Sequence, residues 1–375
     1  MTKAAELAKM GEVLTNSQIG GRRNIVINGA CQVAQRGTSS TGLGGSAPGY
    51  TTVDRWQLSV GATSAGRFST AQVAVTDLPG FANAFHLDCT TADTSIAAGE
   101  VLKIDYKIEG QDLQQLKKGT SSAEKVTVSF YMKTNKAFTF MCELDDRDNN
   151  RRNGQQFTTT TDWTRHVLTF AGDTTGTLDD DNALSMVISF FFHAGSDFTG
   201  GTYSANTWES RASSDNMRAV GIGSFFDSTD NDIKITGLQM EVGSQATPFE
   251  HRSFGEEQEL CKRYFQKVNN LQCIGTTNTS ERLRINATLV PVMRAGPSFT
   301  IISGVVTKFI GGETAVFSAD TSIAQSGQLG AAAIQVDIDN FSTNSNGDGG
   351  GTTPVDNACF LGHLDQFIYE CSAEL

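Results

Sequence analysis

Short segments in which apolar and polar residues alternate recur along most of this chain, and this two-residue period constrains the fold more than any other feature. Residues 102–108, 126–132 and 138–144 show it most clearly, and Asn135-Lys136 lies between the last two, where a hairpin turn belongs. About nine to eleven such segments precede residue 243, without a strand–helix–strand rhythm. One-sided alternation is typical of antiparallel strands that bury one face. The sequence therefore predicts an all-β chain whose larger part is a jelly-roll β-sandwich.

The alternation stops between residues 243 and 268. Gly237 breaks the phase of the preceding strand and predicts a bulge there, and Pro248 excludes a helix through its position. Ser253 and Glu256 have the spacing of a capping box, and the following residues are acidic first and basic last, as a helix dipole favours. We predict a linking helix over 253–268, helical from residue 255, with a broad apolar face that includes Leu260, Tyr264 and Phe265.

Four regions follow from these boundaries. Residues 1–21 are predicted to hold a short helix and a linker for assembly or anchoring, with Leu7, Met10 and Leu14 on one stripe; a frayed terminus is the alternative. Residues 22–252 form the jelly roll, and 253–268 form the linking helix. A second alternating set in 269–375 predicts a smaller C-terminal β-sandwich.

Composition narrows the classes of partner. The formal net charge of −12 argues against nucleic acid and anionic membranes. No apolar run reaches the length that spans a bilayer, and the first residues lack a secretion signal, so we expect a chain that stays in the cytosol until something else releases it. The seven cysteines are scattered without a Cys-x-x-Cys pair, which favours reduced thiols over disulfides.

Patterns of catalytic residues are absent from the sequence. It contains no Gly-x-Ser-x-Gly motif, and its five histidines are isolated, so we predict no enzyme, no catalytic residue and no cofactor. Carboxylates cluster at Asp145, Asp146 and Asp148 and again at 179–181. Such loops could hold a structural Ca²⁺, which takes about six to eight oxygen ligands. A solvated acidic loop is the preferred interpretation, and no metal ligand is assigned.

Two stretches could contact a ligand. Residues 196–216 place Phe198, Tyr203, Trp208 and Arg211 among small polar residues, a mixture suited to stacking on sugars and bonding to their hydroxyl groups. Alternatively, these aromatic residues fold back onto their own sheet, which is the interpretation we prefer. The triplet 54–56, Asp-Arg-Trp, could also bind a ligand, but a structural role at the start of a strand is preferred.

Residues 246–265 read Ala-Thr-Pro-Phe-Glu-His-Arg-Ser-Phe-Gly-Glu-Glu-Gln-Glu-Leu-Cys-Lys-Arg-Tyr-Phe. This stretch resembles a segment that recurs in bacteriophage tail-fibre and other virion appendage proteins, where it follows a jelly-roll domain of carbohydrate-binding-module type. Residues 22–30, 33–37 and 53–56 extend the resemblance, and residues 289–298 and 372–375 are similar to parts of related phage fibres.

The resemblance implies a structural virion protein, assembled in the host cytoplasm and located in the virion. It implies a trimeric tail fibre or spike involved in host attachment. The alternatives are a capsid decoration or fibre protein without a receptor role, and a polysaccharide-degrading spike. The expected partners are two further copies of the chain, other virion proteins of the tail or capsid, and a host surface glycan. The apolar residues of both predicted helices are the candidate oligomer contacts: Leu7, Met10, Leu14, Leu260, Tyr264 and Phe265.

Overall fold

The computed structural model describes Lys3 and residues 22–45, 48–61, 65–211, 215–269, 272–279, 282–303, 305–310, 313–318, 323–328, 332–339, 359–363 and 368–375. The chain divides into two compact units, Met1–Glu257 with Leu375, and Gln258–Glu374. The predicted N-terminal helix, with Leu7, Met10 and Leu14, lies outside the described residues.

The first unit is built from two antiparallel sheets. Its strands are β1 (Ser39–Leu43), β2 (Gly49–Tyr50), β3 (Trp56–Gly61), β4 (Arg67–Ala74), β5 (Asn83–Thr91), β6 (Val101–Glu109), β7 (Val126–Thr134), β8 (Thr139–Asp146), β9 (Arg151–Thr158), β10 (Thr164–Phe170), β11 (Leu184–Ala194), β12 (Glu209–Ser210) and β13 (Asp232–Val242). The six-stranded sheet has the order β1-β4-β5-β13-β7-β10, and the seven-stranded sheet has the order β12-β9-β8-β11-β6-β3-β2. The all-β fold predicted from the alternation is confirmed.

The alternating residues form the core between these sheets. Val128, Phe130 and Met132 of β7 are fully buried, as are Phe140 and Leu144 of β8. The thirteen described strands of the first unit exceed the nine to eleven expected. The additional strands are short, and two-residue strands such as β2 and β12 are too short to show a period.

Helical structure is sparse among the described residues. It comprises α1 (Ser196–Thr199), α2 (Phe254–Lys262) and 3-10 turns at Gly110–Asp112, Gln114–Leu116, Asp215–Met217 and Phe225–Asp227. No helix in the described part of the chain is both long enough and apolar enough to span a bilayer.

The bulge predicted at Gly237 is present in β13. The register between β13 and β7 shifts between Thr236 and Gln239, and Gly237 has a φ of 65°. A Cβ atom at this position would lie 2.8 Å from Cζ of Phe81 and 2.9 Å from Cδ2 of Tyr131. Glycine is therefore required both for the left-handed backbone and for the close approach of two rings.

Two of the sequence segments that carry the phage resemblance, residues 22–30 and the first part of 246–265, meet in the first unit. The amide of Asn24 donates to Glu250 at 2.6 Å, and the amide of Asn28 donates to Glu257 at 2.5 Å. The guanidinium of Arg252 bonds to the carbonyl of Asn24 and to Glu257. Buried charges need partners of this kind. These contacts fasten residues 22–28 to the stretch that ends the first unit.

The triplet 54–56 has a structural role in the described chain. Asp54 and Arg55 are each 1% exposed. The Arg55 guanidinium lies 5.6 Å from the ring centroid of Tyr106, and the Trp56 indole nitrogen donates to the carbonyl of Asn28 at 3.1 Å. The triplet thus joins the start of β3 to β6 through Arg55 and to Asn28 through Trp56.

The linking helix is shorter than predicted. The amide of Glu256 donates to the Ser253 hydroxyl at 3.3 Å, as the capping box requires, but α2 ends at Lys262 instead of residue 268. Phe265–Asn269 forms the strand β14, which pairs with Ile368–Ser372. The prediction was wrong there because pairing with a strand about a hundred residues away outweighs a local helical pattern.

The second unit contains ten described strands: β14 (Phe265–Asn269), β15 (Gln272–Thr279), β16 (Arg282–Thr288), β17 (Ser298–Ser303), β18 (Val305–Ile310), β19 (Glu313–Ser318), β20 (Ile323–Gln328), β21 (Ala333–Asp339), β22 (Cys359–His363) and β23 (Ile368–Ser372). Its sheets are β14-β23-β17 and β19-β18-β22-β15-β16-β21-β20, with every pairing antiparallel.

Candidate functional site

The candidate site lies on the seven-stranded sheet of the first unit, on the face that points away from the core. Along β8, Cys142 and Leu144 belong to the core, so Glu143 and Asp145 project from the opposite face. The register between β8 and β9 places Gly154 beside Glu143 and Arg152 beside Asp145. Polar side chains therefore collect on this face, at the strands nearest β12.

The segment after β11 crosses this face. Met141 and Phe191 on the sheet form a small apolar cluster, against which Phe198 and Tyr203 pack. These two predicted glycan contacts thus lie together, and both rings are half-buried against their own sheet. This placement corresponds to the preferred interpretation of the segment, whereas their role as glycan contacts stays a prediction.

Tyr203 lies beside a cleft in this face. Its hydroxyl accepts a hydrogen bond from the amide of Gln156 at 3.0 Å, which fixes the orientation of the ring. Trp208 lies elsewhere, because its ring packs against the main core and its indole nitrogen donates to the carbonyl of Ala171 at 2.7 Å. Of the two residues, only Tyr203 is placed to meet a ligand in the cleft.

Arg211 reaches the same face of the sheet from its edge. Its Nη1 donates to Asn150 at 3.2 Å, and its Nε lies 3.3 Å from a carboxylate oxygen of Asp145. Asp145 is 1% exposed and also pairs with Arg147 at 3.0 Å and Arg218 at 3.4 Å. Arg211 therefore belongs to a charged network next to the cleft.

The cleft itself encloses about 280 Å³ of empty space, including the part open to solvent. Its polar lining consists chiefly of Glu143, Arg152, Tyr203, Glu209 and Arg218, with Met141 and Met217 as apolar walls. Gly154 lines it without a side chain, and a Cβ atom there would lie 3.1 Å from the sulfur of Met141. The cleft thus presents two guanidinium groups, two carboxylates and one tyrosine ring.

An ion pair between Arg218 and Glu143 forms the floor of the cleft. The Arg218 Nε lies 3.1 Å from both carboxylate oxygens of Glu143, and its Nη2 donates to one of them. The guanidinium also lies 5.3 Å from the ring centroid of Phe191. Burial would lower the pKa of Arg218, but the charge and hydrogen bonds of Glu143, aided by Asp145, raise it above its usual value. Arg218 is therefore a permanent cation.

This arrangement favours binding over proton transfer. Both oxygens of Glu143 accept hydrogen bonds from the Arg218 guanidinium, which holds this carboxylate in place as an acceptor. Fixed N–H donors and carboxylate acceptors beside a half-buried aromatic ring can bond to a ligand that carries several hydroxyl groups. The lining charges balance in sign, so the cleft suits an uncharged polyhydroxyl compound.

Two of the carboxylates considered as Ca²⁺ ligands, Asp145 and Asp146, have protein cations as partners. The Lys118 ammonium lies 2.5 Å from Asp146 and 3.0 Å from Asp173, and it donates to the carbonyls of Thr175 and Gly176. No group of three or more potential ligands with the geometry of a metal site occurs in the described part of the chain. The Ca²⁺ hypothesis stays a prediction without structural support at these residues.

Sequence reasoning missed most of the cleft. Glu143 and Arg152 lie at outward positions of strands whose inward positions were recognised, so the strand period itself was the available signal. Arg218 is 75 residues from Glu143 in the sequence, and no local sequence pattern predicts that they pair.

The candidate oligomer contacts of the linking region are described in part. Tyr264 and Phe265 are buried and Leu260 is half-buried within the single chain. Their role in oligomer contacts stays a prediction, because a single chain does not test it.

Comparison with known proteins gives similarities only at the level of structure. No family model and no curated protein sequence matches this chain. The enzymatically active domain of tailspike protein 4 from bacteriophage CBA120 is similar over 58% of this chain and 21% of its own, with 14% identity and a TM-score of 0.31.

Carbohydrate-binding modules are also similar to this chain. The family 11 module from Clostridium thermocellum, in complex with a β-1,3-1,4-mixed-linked tetrasaccharide, matches 56% of this chain and 99% of its own, with 15% identity and a TM-score of 0.27. TmCBM61, in complex with β-1,4-galactotriose, matches 59% of this chain and 99% of its own, with 11% identity and a TM-score of 0.28. This chain thus spans about a fifth of the tailspike domain and nearly the full length of these modules.

Proposed function

We propose that this chain is a structural subunit of a bacteriophage appendage and that it binds a host surface glycan in the cleft beside Tyr203. The observation that carries the binding role is the fixed set of donors and acceptors around that ring, with the Arg218–Glu143 pair as its floor. The phage origin is supported by the resemblance of residues 246–265 and by the contacts that join this stretch to residues 22–28.

The chemistry of the cleft favours a neutral sugar. A pyranose can place its C–H face against Tyr203 while its hydroxyl groups bond to the guanidinium and carboxylate groups. Because these groups are already paired and buried, they lose little conformational freedom when a ligand binds. The proposal gives the cleft a binding role without catalysis.

Assembly into a homotrimer within the virion is the second part of the proposal. Several weak glycan sites on one particle raise the total affinity without new contacts. Light scattering on the purified chain should give the mass of three copies, and a monomer at micromolar concentration would contradict the assembly while leaving the cleft untouched.

Calorimetric titration with polysaccharide prepared from host cell envelopes tests the binding role. Tyr203→Ala should weaken binding at least about tenfold, equivalent to about 1.4 kcal/mol. Tyr131→Ala is the matched control, because Tyr131 is a half-buried tyrosine on β7 of the other sheet. Equal binding by both variants would refute the cleft as the site.

The same titration separates the two alternatives. A decoration protein without a receptor role would release no heat with any envelope polysaccharide. A depolymerase would shorten the polysaccharide, which size-exclusion chromatography of the mixture would detect.

A further inference from the structure

A second cluster of reactive side chains lies at the end of the sandwich where β6 begins and β11 ends. One imidazole nitrogen of His193, Nδ1, lies 2.8 Å from the Ser224 hydroxyl oxygen. The other, Nε2, lies 3.0 Å from a carboxylate oxygen of Glu100. His193 and Glu100 are both completely buried, whereas Ser224 is half-exposed. None of the three residues lines the cleft beside Tyr203.

A β-bulge in β11 creates this cluster. The pairing of β11 with β6 slips between Phe191 and His193, so that Phe192 and His193 both turn toward the interior. Without the slip, His193 would share the outward face of Phe191. The imidazole instead lies 5.0 Å, centroid to centroid, from the ring of Phe226. Bulges frequently redirect a side chain in this way beside active sites.

We propose that Ser224, His193 and Glu100 form a nucleophilic site that cleaves acetyl esters. The three residue types and their two hydrogen bonds are those of a nucleophile, its general base and the carboxylate that orients the base. The serine meets Nδ1 and the carboxylate meets Nε2, the reverse of the arrangement in serine proteases. The function is retained because the ring conjugates both nitrogens.

The hydrogen bonds set the direction of proton transfer. In the proposed tautomer, Nε2–H donates to the Glu100 carboxylate, which leaves the Nδ1 lone pair to accept the Ser224 proton. Burial lowers the pKa of His193, although the hydrogen bond and charge of Glu100 and the charge of Asp93 oppose this effect, so the imidazole is neutral at pH 7. A neutral imidazole is the form that a general base requires.

Backbone groups next to Ser224 complete the site. Ser224 caps the 3-10 turn Phe225–Asp227, and its oxygen accepts from the amide of Phe226 at 3.1 Å. The amide of Phe225 follows Ser224 directly in the chain. The amide that follows a nucleophile is the usual donor to the oxyanion of the intermediate.

The surroundings of Ser224 favour a small acyl group. A Cβ atom at Gly223 would lie 3.1 Å from Cδ1 of Phe138, so this ring lies close to the backbone beside the nucleophile. Because this ring limits the space beside Gly223, we expect an acetyl group to be preferred over a longer acyl chain. Acetyl esters of sugar hydroxyl groups are a chemical class that this site would take.

The reaction proceeds in two balanced steps. The Ser224 oxygen attacks the ester carbonyl while its proton passes to His193, and the alcohol then leaves with that proton, so that acetyl-Ser224 remains. A water molecule next attacks the acetyl carbon and passes a proton to His193. Acetic acid departs, and the Ser224 oxygen recovers the proton.

Labelling the intact chain with a fluorophosphonate probe tests the proposal. Peptide mapping by mass spectrometry should find the adduct on Ser224, formed at least about 100-fold faster than on Ser228, because general-base catalysis contributes about 10² or more. Ser228 is the matched control, since it is half-exposed, lies on the same loop and accepts an amide from Asp230, but faces no histidine in the described chain. Labelling at both serines at one rate would overturn the proposal.

Two further measurements identify the base and separate this site from the cleft. In folded His193→Gln, labelling of Ser224 should fall to the rate of Ser228, and p-nitrophenyl acetate hydrolysis should disappear. Undiminished labelling in that variant would refute the role of His193. If the variant does not fold, the labelling rate of Ser224 in the wild type is measured as a function of pH. This rate should decline in acid as His193 gains a proton, and a rate that does not change with pH overturns the proposal. Polysaccharide binding by Ser224→Ala should equal that of the wild type, because the cleft does not include Ser224.

Discussion

Replacing Arg218 by methionine should reveal how much the ion pair on the cleft floor contributes to stability. Glu143 is 1% exposed, and Arg218 makes the closest contacts to both of its oxygens. Removing one member of a buried ion pair costs about 3 to 5 kcal/mol, because the other charge stays buried without its partner. Arg152 lies 4.0 Å from the same carboxylate and will offset part of this loss, so we expect about 3 kcal/mol.

Urea unfolding, monitored by tryptophan fluorescence, measures the loss of stability in the first unit, which contains Arg218 and Glu143. All three tryptophans, Trp56, Trp163 and Trp208, belong to the first unit, so their emission reports its unfolding alone. The midpoint should fall while the slope stays constant. Adding Glu143→Leu to the variant should recover most of the loss, because the unpaired charge is then gone. A loss below about 1 kcal/mol, or no recovery in the double variant, would refute the reasoning about the cleft floor.

Three further outcomes are expected. Burial against Phe130 and Phe157 lowers the pKa of His166 from 6.5 to about 4, so on acidification the unfolded state takes up the proton first. The free energy of unfolding should therefore fall as the pH drops from 6.5 to about 4. Urea titrations should show a smaller dependence of this free energy on pH in His166→Phe. Gly237→Ala should cost more than about 1 kcal/mol by thermal unfolding, whereas Gly255→Ala, with open space at its Cβ, should cost nothing. Dithiothreitol should leave the melting temperature unchanged, because Cys31, Cys89, Cys142 and Cys371 are buried free thiols.

The strand period correctly predicted the core positions of the first unit, because the polarity of each residue reflects whether its side chain is buried. Alternation between 126 and 144 indicated which side chains face the core, and the core contains them. The phase slip at Gly237 located a bulge for the same reason, since one extra residue moves all later side chains to the other face. The same period placed Glu143 on the outward face, although it gave no sign of what Glu143 would meet.

Local patterns failed where a distant segment competes for the backbone. Residues 263–268 continue a plausible helix, but Phe265–Asn269 pairs with β23 instead. The slip that turns His193 inward is equally invisible in the run Phe190-Phe191-Phe192, because every residue of that run is apolar. The strand with which a segment pairs determines its conformation, and the local sequence does not identify that strand.

The sequence by itself determined the all-β class, the strands of the core and the bulge at Gly237. These features depend on steric limits and on the period of burial, which each residue and its neighbours carry. Only the tertiary structure decided that Arg218 meets Glu143, and that Glu100, His193 and Ser224 meet at one end of the sandwich. Those contacts join residues 31 to 93 positions apart, and sheet order and register bring them together.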